Sequence, residues 1–537
     1  MSTSQHHNHE DANLLAVHNE AKTIQTWLKT QPIAQLQESS KLLLLQLNAL
    51  HSIEFDLDAR FKLLELLHPA VEYICYTLCK HYIGPEAHAS GKATHIISTL
   101  QQLQIAIINN YQMITEALLA KQDIKPHLTQ LGISIYHSMT HLSEILITCY
   151  QFYTSVPTQV WYHLHQLYAD AARHQLLEFV PNTVEISNIT ASNLHNLYLE
   201  TLMLASADPY KFQRHDLEVL ISALPKWLHF VVLNKVQEKK GQYVIFSDED
   251  APPLRIEFIQ PDAITGNYRC LDIEPLQKHI DFLITQATNP TPDQPAAPTP
   301  LHILTRLTQT WGKAAPRQFP RVALQGHMQM IFGIKNIHYY VSGQDQAEAE
   351  ADIKLQPTTT TRTNKLTEKK ATPKIITWDL IDTSPNGYCL IRSFDSSLDI
   401  QAGEIVGVKE EIEHTPGRWS IGAIRWVKHQ EDDHLKIGIQ LLAPPVGIPI
   451  QFQLRHPNRA ESSYMSGFLM PAVRHLQQKQ TLLLPNLPYS NKDYVHIKTA
   501  KEEYDVVLKK LIVNSHQFSQ HEFEIIDPKE WFDSWRV

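Results

Sequence analysis

A proline-rich segment divides the chain into two parts with different hydrophobic patterns. The twelve residues from Asn289 to Pro300 read NPTPDQPAAPTP and contain five prolines. Proline fixes the backbone angle φ and has no amide hydrogen, so this segment favours an extended polyproline II conformation and continues neither a helix nor a sheet. We therefore predict a linker over 289–300, with separate hydrophobic cores on its two sides.

The part before the linker has the pattern of amphipathic helices. Apolar residues between Leu100 and Leu118 recur at steps of three or four, and other segments up to about residue 230 repeat this spacing. The pattern predicts an all-α domain over 11–230, either a helical bundle or a short helical-repeat domain, after a disordered tail over 1–10. A small α/β or β segment is expected over 231–288.

The part after the linker changes to the pattern of β-strands. Five apolar residues occupy even-numbered positions, as on the buried face of a half-buried strand: Val322, Leu324, Met328, Met330 and Phe332. Several such short runs predict an antiparallel β-barrel over 301–450 and a β-rich C-terminal extension over 451–537. The stretch 343–374 is first acidic and then threonine-rich and basic, which favours a disordered insertion. The fold class is multidomain α + β.

Composition excludes several classes of protein. The net charge is −9, with 47 Lys and Arg against 56 Asp and Glu, so we expect no bulk nucleic-acid partner. No run of about 20 apolar residues predicts a membrane span, and the N-terminus lacks the pattern of a secretory signal. Five widely spread cysteines also indicate a cytoplasmic protein.

Catalytic and metal-binding motifs are missing from the sequence. No P-loop, dinucleotide, metalloprotease or nucleophile-elbow pattern occurs, so we expect no catalytic residue, no metal site, no cofactor and no enzyme activity. Cys75 and Cys79 lie four residues apart and are interpreted as two small apolar residues on one helix face. The cluster from Trp161 to His165 is interpreted as helix core, in preference to a peptide-binding groove. Arg425 and Trp426 are interpreted as alternating residues of a strand, in preference to the lining of a ligand pocket.

Two short motifs flank predicted strands in the second part. Arg317-Gln-Phe-Pro-Arg321 directly precedes a strand, and Asp382-Thr-Ser384-Pro-Asn-Gly387 directly follows the strand predicted over 375–381. The order RxxxR, strand, strand, DxSxxG resembles the PilZ domain, a small bacterial β-barrel. The resemblance covers about residues 301–450. A second RxxxR, Arg455 to Arg459, follows the barrel and is interpreted as an exposed polar loop.

The resemblance implies a ligand, the bacterial second messenger cyclic di-GMP, and a set of contacts. It implies Arg317 and Arg321 as phosphate and guanine contacts, and Asp382, Ser384 and Gly387 as a base-binding turn. A guanidinium fork matches phosphate oxygens or a guanine edge, and a carboxylate accepts hydrogen bonds from guanine. Glycine at 387 is expected to permit positive φ and close backbone approach.

Two functions stay open at this point. In the first, the protein is a signalling receptor, and ligand binding on the barrel alters how the helical domain meets a protein partner. In the second, it is a ligand-independent scaffold or adaptor with a degenerate barrel. Binding of cyclic di-GMP distinguishes them, and deletion of residues 343–374 is expected to leave the affinity nearly intact.

Overall fold

The computed structural model places most of the chain in two compact units. The first comprises residues 1–209, 214–314 and 395–399, and the second comprises 210–213, 315–394 and 400–537. The structure describes residues 24, 36–53, 56–83, 93–181, 193–238, 240–288, 299–312, 319–343, 373–395, 398–411, 417–430, 433–443, 447–455, 463–472, 479–487, 489, 493–515 and 517–526. The predicted tail over 1–10, most of the linker and most of the insertion lie outside these residues.

The N-terminal part of the first unit is helical, as predicted. Its helices are α1 (Leu36–Ser52), α2 (Leu57–Ile83), α3 (Ala93–Leu119), α4 (Leu128–Gln151), α5 (Val160–Arg173), α6 (Leu194–Ser206) and α7 (Arg214–Trp227). The apolar stripe of α3 is buried along its whole length, from Leu100 to Leu118. Cys75 and Cys79 are buried and unpaired by disulfides, in agreement with their apolar interpretation.

A small four-stranded sheet follows the helices in the same unit. Its strands are β1 (Val232–Leu233), β2 (Tyr243–Phe246), β3 (Leu254–Arg255) and β4 (Tyr268–Asp272), in the order β1-β4-β2-β3. Directly after β3, Ile256–Phe258 form a 3₁₀ turn. Helices α8 (Glu274–Thr288) and α9 (Leu301–Trp311) follow and pack on each other.

The loop between β2 and β3 caps helix α5 through Asp250. This carboxylate accepts hydrogen bonds from the backbone N–H groups of Gln159, Trp161 and Tyr162, at 2.6–3.1 Å. A negative charge at these amides also complements the positive end of the helix dipole. Trp161 and His165 are buried in the core beneath this cap, which confirms their core interpretation.

Glu200 of α6 is an unusual member of the helical core. Its side chain is buried, Oε2 has no hydrogen-bond partner among the described residues, and burial raises its pKa to about 8. The folded state therefore keeps Glu200 protonated at pH values where the unfolded chain ionises it. Because the unfolded chain then binds fewer protons at this site, the contribution of Glu200 to the free energy of unfolding should fall as pH rises from about 4.5 to about 8.

Replacing Glu200 with glutamine should remove this pH dependence. We expect the wild-type chain to lose up to about 1.4 kcal/mol per pH unit relative to Glu200→Gln across that interval. Urea denaturation of both proteins at pH 5 and pH 7.5, followed by helical circular dichroism, measures the difference. Glu116→Gln, at an exposed position of α3, is the control and should behave like wild type. Parallel pH profiles for wild type and Glu200→Gln would contradict the assignment.

The second unit begins with a closed six-stranded barrel. Its strands are β5 (Val322–Phe332), β6 (Ile376–Ser384), β7 (Gly387–Ser393), β8 (Ile405–Glu410), β9 (Ser420–His429) and β10 (His434–Ala443). The order around the barrel is β10-β7-β6-β5-β8-β9, and all pairs are antiparallel. This confirms the predicted antiparallel barrel.

The first half of β5 departs from the predicted half-buried pattern. Met328 and Met330 are buried, but Val322 and Leu324 are 61% and 48% exposed. Strand β8 pairs with β5 only from Met328 onward, so the first half of β5 has β6 as its paired neighbour. A register shift between Ala323 and Gly326 also interrupts the alternation of faces.

The predicted β-rich extension forms a second closed barrel. Its strands are β11 (Ile448–Arg455), β12 (Met465–Met470), β13 (Thr481–Pro485), β14 (Tyr494–Lys498), β15 (Glu503–Asn514) and β16 (Phe518–Ile526), in the order β11-β12-β13-β16-β15-β14. The two barrels share a hydrophobic cluster. In it, Ile331 and Ile421 of the first barrel pack with Phe468 and Met470 of the second, together with Ile337 of the short helix α10 (Ile334–Val341).

Candidate functional site

The two sequence motifs meet at one end of the first barrel. Strands β5 and β6 are antiparallel, and Ala323 lies opposite Asp382. Arg321, just before β5, therefore reaches the end of β6, where its Nη1 donates a hydrogen bond to Oδ1 of Asp382 at 2.9 Å. The two side chains are 37% and 22% exposed. Strand pairing thus brings together two residues that are 61 positions apart. Arg317 lies outside the described residues.

The DxSxxG motif does not follow its strand but forms the end of it. We expected the strand to end at residue 381, yet β6 continues to Ser384, so that prediction was wrong. The reason is the short connection to β7. Only Pro385 and Asn386 lie between the paired residues Ser384 and Gly387, so the ladder continues to the turn.

A β-bulge directs Asp382 away from the barrel interior. Leu380 pairs with Leu390 of β7, whereas Asp382 pairs with the preceding residue, Cys389, so Ile381 is an extra residue on β6. Side chains alternate between faces along a regular strand, and Leu380 is buried. The extra residue reverses the alternation and places Asp382 on the outer face.

Gly387 is required by close packing of the backbone. Its φ is not among the positive values of the described glycines, so the expectation of positive φ was wrong. The other expectation, close backbone approach, holds toward β10: a Cβ atom at 387 would lie 2.0 Å from the carbonyl oxygen of Ile439. Ser384 donates from its hydroxyl to the Gly387 carbonyl oxygen at 3.4 Å, which links the two sides of the turn.

The strand register places Asp382 and Trp426 on the same outer face of the barrel. Asp382 pairs with Cys389, Cys389 with Gly438 of β10, and Gly438 with Trp426 of β9. Directly paired residues share a face of the sheet. A Cβ atom at Gly438 would lie 2.1 Å from Nε1 of Trp426, so the indole lies across this glycine. The outer face therefore carries a half-buried aromatic ring over β10, with β7 between it and the strand β6 that carries Asp382.

Arg425 extends this face beside the turn. Gln440 pairs with Gly387, and Arg425 donates from Nε to Oε1 of Gln440 at 2.5 Å. The sequence analysis preferred alternating strand residues for Arg425 and Trp426 over the alternative that they line a ligand pocket. Their place beside the two motifs depends on the register shift at Gly438 and Ile439, for which no local sequence signal was found.

Several charges surround the Cys389 thiol on the outer face. Burial and the Asp382 carboxylate raise the pKa of this thiol, whereas Lys436 and Arg321 oppose the rise. The Cys389 thiol is thus uncharged, and the cations Arg321 and Lys436 lie beside it. A guanidinium, an ammonium, a carboxylate and an indole on one face fit a ligand that combines phosphate groups with a planar, hydrogen-bonding base.

The second RxxxR motif begins in a strand of the second barrel. Arg455 was expected in an exposed loop, but it is the last residue of β11 and its side chain is 27% exposed. It donates from Nη1 to Oδ2 of Asp505 at 3.1 Å, and His496 bonds the other oxygen of this carboxylate at 2.9 Å. The expectation was wrong because strand pairing continues as far as Arg455. Arg459 lies outside the described residues.

Models of known families match nearly the whole chain. Residues 242–352 and 344–446 match a model described as the middle PilZ domain of the cyclic-di-GMP receptor FimW. The middle part of this chain belongs to the PilZ-domain family. Around the PilZ domain, residues 22–238 match the FimW N-terminal domain, and residues 450–526 match the FimW C-terminal beta-barrel domain.

A curated relative aligns with this chain over nearly the whole length of both. It is the cyclic-di-GMP receptor FimW of Pseudomonas aeruginosa, which is 24% identical over 560 aligned residues. The alignment covers 94% of this chain and 91% of the relative. The matching families are described as parts of a receptor and not as enzymes. Within the described part of the chain, no helix is both long and apolar enough to cross a membrane.

Proposed function

We propose that this protein is a cyclic di-GMP receptor whose ligand binds on the outer face of the PilZ barrel. The observation that carries the proposal is the 2.9 Å contact between Arg321 and Asp382. It joins the RxxxR and DxSxxG motifs at one barrel end. The printed descriptions of the FimW domains and of the Pseudomonas relative support the same ligand.

The residues at this end suit the chemistry of the ligand. Arg321 supplies a permanent cation for a phosphate or for the acceptor edge of guanine. Asp382 supplies an acceptor for the N1 and N2 hydrogens of a guanine base. Trp426 supplies a ring on which a base stacks, and Arg425 adds a second guanidinium. Ser384 and Gly387 shape the turn between them, and Arg317 is assigned to the same ligand through the family resemblance.

The ion pair between Arg321 and Asp382 is weak enough to be exchanged for the ligand. An exposed ion pair contributes about 0–1 kcal/mol to stability, because both ions lose little hydration and gain little attraction. A hydrogen bond to a charged group contributes about 1.5–3 kcal/mol when the partner is well placed. Replacing the pair by one phosphate contact and one guanine contact is therefore favourable.

The remaining parts of the proposal concern the role of the receptor. We propose that ligand binding changes how the helical domain interacts with a protein partner, that the protein acts in the cytoplasm, and that it needs neither a cofactor nor a catalytic residue. The net charge of −9 supports a small-molecule ligand in place of bulk nucleic acid.

Equilibrium binding of fluorescent cyclic di-GMP to the full chain tests the proposal. We expect saturable binding that unlabelled cyclic di-GMP displaces and that a large excess of GTP leaves unchanged, because GTP lacks the second guanine and the cyclic phosphate geometry. Binding that GTP displaces equally well would indicate a general nucleotide site. No binding to a folded full chain would favour the alternative, a ligand-independent scaffold with a degenerate barrel.

A further inference from the structure

Three histidines lie together in the helical unit, in a region separate from the barrel residues. His68 is on α2, and His137 and His141 are on α4. The ring centroid of His68 lies 3.8 Å from that of His137 and 5.2 Å from that of His141. Their side chains are 6%, 1% and 0% exposed. Imidazoles are rarely buried in such a group, because each ring needs polar partners.

Each histidine faces a glutamate. The Nδ1 atom of His68 lies 3.9 Å from Glu72, and the Nδ1 atom of His141 lies 3.3 Å from Glu144. The Nε2 atom of His137 lies 3.6 Å from Glu65. The cluster thus combines three imidazoles with three carboxylates along the contact between α2 and α4.

Other polar groups complete the surroundings of this histidine–carboxylate cluster. From α3, Tyr111 donates its hydroxyl hydrogen to Glu65 at 2.8 Å, and Gln104 donates to Glu144 at 3.3 Å. Cys75 of α2 lies near Glu72 and Glu144. Among the described residues, no group of three His, Cys, Asp or Glu is placed to hold a metal ion.

Hydrogen bonding in the cluster suits neutral imidazoles. The Nε2 atoms of His68 and His141 are buried and have no hydrogen-bond partner in the part of the chain that the structure describes. A protonated imidazole carries two N–H donors and a full charge, so it needs more polar contacts than these atoms have. Water supplies such contacts as soon as the helices separate.

We propose that this cluster makes the α2–α4 contact proton-sensitive, so that mild acid loosens these two helices. The proposal goes beyond ligand binding on the barrel, since it makes the helical unit respond to a second signal, the proton concentration. Burial lowers the pKa of His68 well below its usual value, with His137 and His141 adding to the effect. Burial also lowers the pKa of His137 to about 4, against the opposing effect of Glu65.

The sign of the effect follows from these two shifts. In the opened state the rings of His68 and His137 regain an ordinary pKa of about 6.5, so the opened state binds more protons than the closed state. Stability of the contact is therefore complete above about pH 6.5 and is lost as pH falls toward 4. Two linked protons raise the opening constant by up to about a hundredfold per pH unit in this interval.

Hydrogen–deuterium exchange of the full chain between pH 7.5 and 5 tests the proposal. We expect protection factors, corrected for intrinsic exchange rates, to fall more steeply in peptides of α2 and α4 than in peptides of α7. The double variant His68→Leu/His137→Leu should abolish the extra steepness. If it fails to fold, the single variant His137→Asn should halve the slope. His215→Gln, a 75% exposed histidine on α7, is the control that should keep it.

Three results would overturn the proposal. The first is equal pH dependence of protection in α2, α4 and α7. The second is an unchanged slope in a folded variant that lacks His137. The third is a change of the slope on adding a chelator such as EDTA, which would mean that a metal ion and not protons controls the cluster.

Discussion

Alanine at position 321 should lower the affinity of the full chain for cyclic di-GMP at least tenfold. The change removes the guanidinium that lies at the junction of the two motifs, and with it a charge-assisted contact of about 1.5–3 kcal/mol. It also leaves the Asp382 carboxylate beside the anionic ligand without its cation. Fluorescence anisotropy with labelled cyclic di-GMP at fixed salt measures the loss. The same tenfold loss is expected for Arg317→Ala, on the basis of the family resemblance.

The chain offers a matched control for this experiment. Arg173 and Asp170 of α5 form another partly exposed Arg–Asp pair, with a contact of 2.7 Å. Arg173→Ala should leave affinity unchanged. Arg455→Ala is expected to weaken the second barrel through loss of the Asp505 contact, with affinity retained while the protein stays folded. Wild-type affinity in both Arg321→Ala and Arg317→Ala would reject the assignment of the RxxxR segment.

Alanine at position 387 should destabilise the PilZ barrel strongly. The added Cβ atom would lie 2.0 Å from the Ile439 carbonyl oxygen, and this backbone atom cannot move without breaking the pairing of β7 with β10. Such overpacking costs about 1–3 kcal/mol, and more where backbone must shift. We expect a clear fall in the unfolding midpoint of the second unit, measured by intrinsic tryptophan fluorescence in urea.

Gly326 provides the comparison for Gly387. It lies in β5 of the same barrel, and a Cβ atom there would have no neighbour within 4 Å. Gly326→Ala should therefore leave the midpoint nearly unchanged. A stable Gly387→Ala protein that has lost only ligand binding would show instead that the glycine serves the ligand more than the barrel.

The local part of the fold was accessible from the sequence. The helical stripe of α3 and the burial of Met328 and Met330 in β5 follow directly from hydrophobic spacing, because period and burial are coupled within one element. The strands β7, β11, β12 and β13 were not predicted. Their burial depends on barrel closure, which pairs residues distant in the chain. The run Thr481–Pro485, for example, has four buried residues and no alternation.

The candidate site likewise combines residues that the sequence predicted with a geometry that it did not. The motif residues were found from their order, but their geometry depends on Ile381, the extra residue of the bulge in β6. Neither that bulge nor the one beside Trp426 was predicted from the sequence, since a bulge is a property of the pairing of two strands. The sequence therefore predicted Asp382 as a site residue, whereas a pocket role for Trp426 was only the less favoured alternative.

The cluster that joins Ile331 and Ile421 to Phe468 and Met470 limits how the receptor can be dissected. A fragment that stops before β11 would leave these isoleucines facing water, and such a surface promotes aggregation. Affinities measured on a truncated middle domain would then describe a damaged protein. Ile331 lies on β5 and Ile421 lies on β9. Any distortion that a ligand imposes on these strands therefore changes their packing against the second barrel.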